Sequence, residues 1–122
     1  MGSLLSSVCD GRLVITQNGV RTFSGFVEGC RARQACEVPS GDLVLVLIEC
    51  VGDTWKPFEN LLGVTSDGAV LWRAELPTYS GGDYYVAIDL ADDGSVAATS
   101  WSCFQVTLDV SSGRIIRRLF TK

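Results

Sequence analysis

Three features of the sequence predict a mainly β protein. Short turns built on Asn-Gly, Asp-Gly and Ser-Gly separate runs of β-forming residues. Leu43 to Ile48 is a continuous apolar run, and Phe104 to Asp109 alternates apolar and polar residues. The expected architecture is an antiparallel meander of hairpins whose twisted sheet curls into a sandwich or partly open barrel, with at most one or two short helices. Residues 1–122 read as a single β domain, long enough to bury roughly two-thirds of the unfolded surface.

Along the chain, Arg12–Thr16 reads as a strand, Gln17-Asn18-Gly19 as its turn, and Val20–Phe23 as the return. Asn-Gly serves here because both central positions need positive φ. Phe26 to Glu37 suits one or two helical turns or a loop, although Gly25 and Gly29 weaken a helix. Leu43–Ile48 lacks alternation, which marks a strand covered on both faces and so placed centrally in the sheet. A loop follows from Val51 to Glu59. Asn60–Thr65 and Ala69–Glu75 then form a hairpin about Ser66-Asp67-Gly68, with Trp72 beside charged Arg73. After the polar loop Pro77–Asp83 come a strand to Leu90, the turn Asp92-Asp93-Gly94, and a small-residue strand ending at Trp101. Phe104–Asp109 and Arg114–Phe120 close the chain around Ser111-Ser112-Gly113. The turn glycines at 68, 94 and 113 are unevenly spaced, so no strict repeat is read from them.

Composition narrows the function classes. Hydrophobic residues make up 47% and charged residues 20% of the chain, a globular balance. The longest apolar run is far short of the roughly 20 residues a bilayer span requires, and no secretory signal opens the chain, so a cytoplasmic protein with no membrane partner is expected. Met1-Gly2 with Ser6 matches the loose myristoylation pattern, which also arises by chance. A net charge of −4 disfavours nucleic acid. There is no histidine, which removes the commonest general base and the commonest metal ligand. Cysteines at 9, 30, 36, 50 and 103 match no zinc spacing and read as small hydrophobes in a reducing compartment. Cys30 and Cys36 are the best candidates for a bridge, because Arg31 and Arg33 between them would favour a thiolate.

No catalytic residue is assigned. A Ser or Cys nucleophile would need a base, and the only lysines are Lys56 and Lys122. Asp92-Asp93 lies in a turn, where the pair serves conformation. Asp89, Asp92 and Asp93 lack calcium-loop spacing, so no metal and no cofactor is expected. Arg114, Arg117 and Arg118 give the last strand a basic stripe, with Arg114 and Arg118 expected on one face; exposed arginine on a strand also guards an edge. The candidate binding residues are aromatic and acidic and lie in two loops. Asp53, Trp55 and Glu59 occupy one; Tyr79, Asp83 and Tyr84 occupy the other. Aromatic anchors ringed by acids suit an interface with a basic protein.

The C-terminal half carries an ordered series: Asn60 and its strand, Asp67-Gly68, Leu71-Trp72-Arg73, Tyr85 to Ile88, Trp101, Asp109 with Gly113-Arg114-Ile115, and a final Phe120-Thr121-Lys122. It resembles small bacterial all-β proteins of mostly unknown function, some similar to immunity proteins of polymorphic or contact-dependent toxin systems. The pieces around Asp67-Gly68 and Trp72 also resemble hairpins in quinoprotein-type propeller blades, which is read as shared hairpin chemistry because one chain of this size cannot close a propeller. The family resemblance implies a protein-binding module, specifically an immunity protein, monomeric or weakly dimeric, that binds a cognate toxin with a basic surface. The alternative is a structural or accessory β domain that assembles with itself through a strand edge.

Overall fold

The computed structural model describes residues 4–38, 43–49, 56–79 and 81–121. They form three antiparallel sheets, with no helix among them. The first sheet has the order β1-β2-β3, from Leu4–Cys9, Arg12–Gln17 and Val20–Gly25. The second is β4-β5-β6-β7, from Ala32–Val38, Leu43–Ile48, Leu61–Val64 and Val70–Arg73. The third is β11-β10-β9-β8, from Ile115–Phe120, Phe104–Leu108, Val96–Ser100 and Tyr85–Leu90. Each sheet is a meander and none closes into a barrel. No helix among the described residues is long and apolar enough to cross a membrane.

The second sheet is the middle layer. Every residue of β5 is buried, as its unbroken apolar run requires. Its alternate residues feed two cores. Val44, Val46 and Ile48 pack with Leu62, Val64, Leu13 and Ile15 against the first sheet. Leu43, Leu45 and Leu47 pack with Leu61, Ile88, Val96, Ala98, Val106 and Leu108 against the third. Period-two alternation thus explains why one strand needs hydrophobic residues at every position.

Two segments depart from the sequence reading. Phe26–Glu37 is neither helical turn nor plain loop. Glu28 and Gly29 take positive φ (54° and 73°), closing a tight bridge between Val27 and Cys30, and β4 starts at Ala32. β1 carries Ser6 and Ser7 and gave no strand signal. It pairs with β2 across the positive-φ turn Asp10-Gly11, from Leu4 opposite Gln17 to Cys9 opposite Arg12, and on its other side meets β4, where Glu37 accepts both the amide and the hydroxyl of Ser6. Leu4, Ser6 and Val8 turn half-inward, while Leu5, Ser7 and Cys9 are exposed.

The four described cysteines are free thiols. Cys30 joins the core between the first and second sheets and Cys36 the core between the second and third, so the middle sheet separates them. Burial, with help from Glu37 and Asp89, pushes the Cys36 thiol above its ordinary value. Cys9 and Cys103 are exposed rather than buried hydrophobes, since both stand at strand ends. Cys50 lies outside the described residues.

Candidate protein-interaction rim

At one side of the molecule, the loops joining strands are stitched into a continuous rim by backbone hydrogen bonds. The Ala32 amide donates to the Gly11 carbonyl, and the Glu49 amide to Arg31. The Ile48 amide donates to Asn60, Phe58 to Asp83, Trp101 to Tyr84, and Thr121 to Cys103. The relay runs from the β1–β2 turn through all three sheets to the end of β11.

Two buried polar side chains fix this rim. Asn60 is fully buried at the entrance to β6. Its amide nitrogen donates to the Tyr85 carbonyl at 2.8 Å and the Ile48 carbonyl at 3.3 Å. Its oxygen accepts the Tyr85 amide at 2.8 Å. One side chain therefore satisfies backbone groups where the second and third sheets meet, where no strand ladder could. Asp83 is only 2% exposed and accepts the Tyr84 amide, the Ser102 amide and the Ser102 hydroxyl at 2.8–3.0 Å. It ties the loop before β8 to the β9–β10 turn.

Glu59 and Tyr84 immediately precede the bonded pair Asn60 and Tyr85, so the pair brings them onto the same stretch of rim. The Tyr79 hydroxyl donates to the Glu59 carboxylate at 2.6 Å and accepts the Leu76 amide at 3.1 Å. Partial burial and the Glu59 carboxylate raise the Tyr79 phenol above its usual value, so it stays a hydrogen-bond donor at neutral pH. Tyr84 stacks on Trp101 with ring planes 7° apart and centroids at 5.9 Å. Trp101 is 65% exposed, which leaves one face of a rigid aromatic pair open to solvent. Further along, Arg31 reaches both Asp10 and Glu49 at 3.5 Å.

Of the six residues singled out from sequence, Glu59, Tyr79 and Tyr84 converge on this rim. Asp83 sits beneath it as a buried anchor. Asp53 and Trp55 lie outside the described residues. Trp101 was read only as a strand end, because a lone Trp after alternating small residues looks like a core position. Among the described residues no group of three His, Cys, Asp or Glu could hold a metal ion.

A family model described as "Domain of unknown function (DUF7957)" matches residues 33–120. The chain belongs to the DUF7957 family. The DUF7957 segment covers the second and third sheets, together with Asn60, Asp83, Tyr84 and Trp101; the first sheet lies outside it. No curated protein matches the chain. Among solved structures, it is similar to the computationally designed Ika8 protein, with a TM-score of 0.57 at 10% identity over 99% of this chain and 34% of that one. It is also similar to BamB from Moraxella catarrhalis, with a TM-score of 0.55 at 15% identity over 99% of this chain and 39% of that one. A protein of unknown function from Bacteroides caccae aligns with a TM-score of 0.48 at 13% identity, over 98% and 47% of the two chains. The DUF7957 chain thus spans between a third and two-fifths of the length of Ika8 and BamB, and the likeness is one of fold.

Proposed function

We propose that this chain is a protein-binding module that meets its partner through the rim carrying Glu59, Tyr79, Tyr84 and Trp101. The observation that supports this reading is the exposed, stacked Tyr84–Trp101 pair set beside the Glu59–Tyr79 hydrogen bond. Aromatic pairs held rigid by stacking lose little entropy on binding, and Trp and Tyr are the residues in which binding energy concentrates. Glu59 beside them favours a basic partner surface. The finer reading, which rests on the resemblance to small bacterial immunity proteins, is neutralisation of a cognate toxin in the cytoplasm by covering its working surface.

The test is co-expression with the C-terminal domain of the protein encoded beside this chain's gene, scored for toxicity alone and in the presence of this chain. Growth rescue and co-purification are expected. Trp101→Ala and Tyr84→Ala should each weaken the complex by at least about tenfold, with Glu59→Lys slowing association most at low salt. Absence of both rescue and association would end the immunity reading. Association that all three variants leave unchanged would move the interface off the rim.

A further inference from the structure

β11 is the terminal strand of the third sheet; at its start the Ile115 amide donates to Glu75, and beyond that point its outer edge carries apolar and basic residues. Ile116, Leu119 and Phe120 are 68%, 59% and 56% exposed on it. Arg114, Arg117 and Arg118 stand among them, and none pairs with a carboxylate among the described residues. On a chain of net charge −4 this is a local basic stripe.

The register determines which backbone groups face outward. The Thr121 amide donates to the Cys103 carbonyl at 2.7 Å, one step beyond the pairing of Phe104 with Phe120. In an antiparallel ladder, hydrogen-bonded pairs alternate with non-bonded ones. Leu119 and Arg117 therefore bond back to β10, while the amides and carbonyls of Arg118 and Phe120 point away from the sheet. A bulge opposite Thr107 and Leu108 shifts the alternation, so that Arg114 and Arg118 do not share a face. Arg117 and Leu119 stand opposite Thr107 and Gln105 on the solvent face. Arg118 and Phe120 point to the other face, where Arg118 donates to the Pro77 carbonyl at 2.6 Å and Phe120 packs on Phe104 at 5.3 Å.

We infer that this edge is a second interface, which accepts an extended acidic segment of another protein by strand addition. Unpaired backbone groups supply the affinity of such a mode, and alternate side chains its selectivity. A strand laid antiparallel on β11 passes Phe120, Leu119, Arg118 and Arg117 in turn. The segment that fits reads apolar, apolar, acidic, acidic. A two-fold pairing of β11 with a second copy centred on Arg117 or Arg118 would set arginine against arginine, whereas one centred on Leu119 would set Leu119 on Leu119 and Arg118 on Phe120. An acidic strand is favoured because it answers both arginines that guard the edge, and dimerisation of the free chain in solution would overturn the inference. The exposed Leu119 and Phe120 are what a merely guarded edge would lack.

The experiment uses the full chain and a peptide of about eight residues with a Val-Val-Glu-Glu core in threonine flanks, long enough to span the strand. Binding should protect the Arg118 and Phe120 amides from hydrogen exchange and leave the Leu119 amide, already in the ladder, unchanged. A Val-Val-Lys-Lys peptide and one with proline in its core should not bind. Arg117→Glu, an exposed change, should weaken the acidic peptide by at least about tenfold and improve the lysine peptide. Circular dichroism confirms that this variant is folded. No binding of the acidic peptide, protection elsewhere, or equal binding to the Arg117→Glu chain would overturn the inference. Loss of binding on Trp101→Ala would place the peptide on the rim and overturn it equally.

Discussion

The middle sheet has two neighbours, and it holds them by different means. Against the third sheet it offers a large apolar core and several polar links with little exposure. Asn60 and the bond from the Phe58 amide to the Asp83 carbonyl fasten the rim, and Gln34 of β4 pairs with the Ile88 backbone of β8 at 3.1 and 3.4 Å. Trp72 lies flat over Gly63 and under Gly113, its indole donating to the Val110 carbonyl at 2.9 Å. Against the first sheet the core is smaller, and apart from the half-buried bonds of Ser6 to Glu37 the polar links are exposed: Thr22 to the Ser66 carbonyl, Arg73 to Glu28, and Arg31 to Asp10. Buried hydrogen bonds in a low dielectric are worth more than surface ion pairs, which contribute about 0–1 kcal/mol. The second and third sheets therefore form the stable body, and the DUF7957 match covers that body.

The largest effect expected to break this contrast is loss of Trp72. Trp72→Ala removes an indole that fills the joint between two sheets and should cost about 3–5 kcal/mol in urea unfolding. Gly63→Ala attacks the same joint from the other side. A Cβ at Gly63 would stand 2.5 Å from the indole, so the ring must shift for the variant to fold. At Gly113 the strain is double, since φ is +77° and a Cβ would meet the ring at 2.4 Å. Should Trp72→Ala cost under about 1 kcal/mol, the third sheet is not held by this joint.

Next in size is Asn60. Asn60→Ala orphans the Tyr85 amide and two carbonyls in a dry interior, at about 1–3 kcal/mol for each group left without a partner. Asn60→Asp keeps the acceptor for the Tyr85 amide but sets a carboxylate against the Ile48 and Tyr85 carbonyls, so rescue should fail. By contrast, Glu28→Gln on the first-sheet side should cost less than about 1 kcal/mol. If the two sides respond alike, the contrast between buried and exposed links does not govern stability.

Much of the fold was legible because hairpin chemistry is local. Asn18-Gly19, Asp67-Gly68 and Gly113 mark real turns, and the unbroken apolarity of Leu43–Ile48 placed β5 between two layers. The likeness of the second and third sheets, both four-stranded meanders, was hidden for a physical reason. Gly68 and Gly113 close equivalent hairpins of the second and third sheets, whereas Gly94 closes the first hairpin of the third, so their spacing mixes two periods. β1 was missed although the Asp10-Gly11 turn pairs it with β2, because Ser6 and Ser7 interrupt its apolar pattern. The site was half legible: Glu59, Tyr79 and Tyr84 could be read from loop chemistry, but burial of Asp83 and exposure of Trp101 depend on how the β9–β10 turn folds back.

The smallest effect separates the two sides by titration. Asp67, Asp93 and Asp109 stand in turns of the second and third sheets. Each is held below the ordinary aspartate value by hydrogen bonds from its own turn: Thr65 and Ala69 for Asp67, Ser95 for Asp93, and Ser111 for Asp109. Of the first sheet's two turns, Asn18-Gly19 carries no titratable group, while the carboxylate of Asp10-Gly11 faces Arg31 rather than its own turn. A carboxyl whose folded value is depressed binds protons more readily when unfolded, so its stabilisation is complete above the unfolded value near 3.8. It is lost as pH falls through the folded values. The urea midpoint should therefore decline in acid below about pH 4, and the loss should fall on the hairpins of the stable body. The triple change Asp67→Asn, Asp93→Asn and Asp109→Asn keeps an acceptor in each turn while removing the titration. Its midpoint should vary less with pH than that of the parent chain, and hydrogen exchange at low pH should show the β2–β3 hairpin about Asn18-Gly19 unaffected. An acid profile that the triple variant leaves unchanged would assign the loss to other carboxylates, with Glu37 and Glu28 at the first-sheet contact the next to be tested.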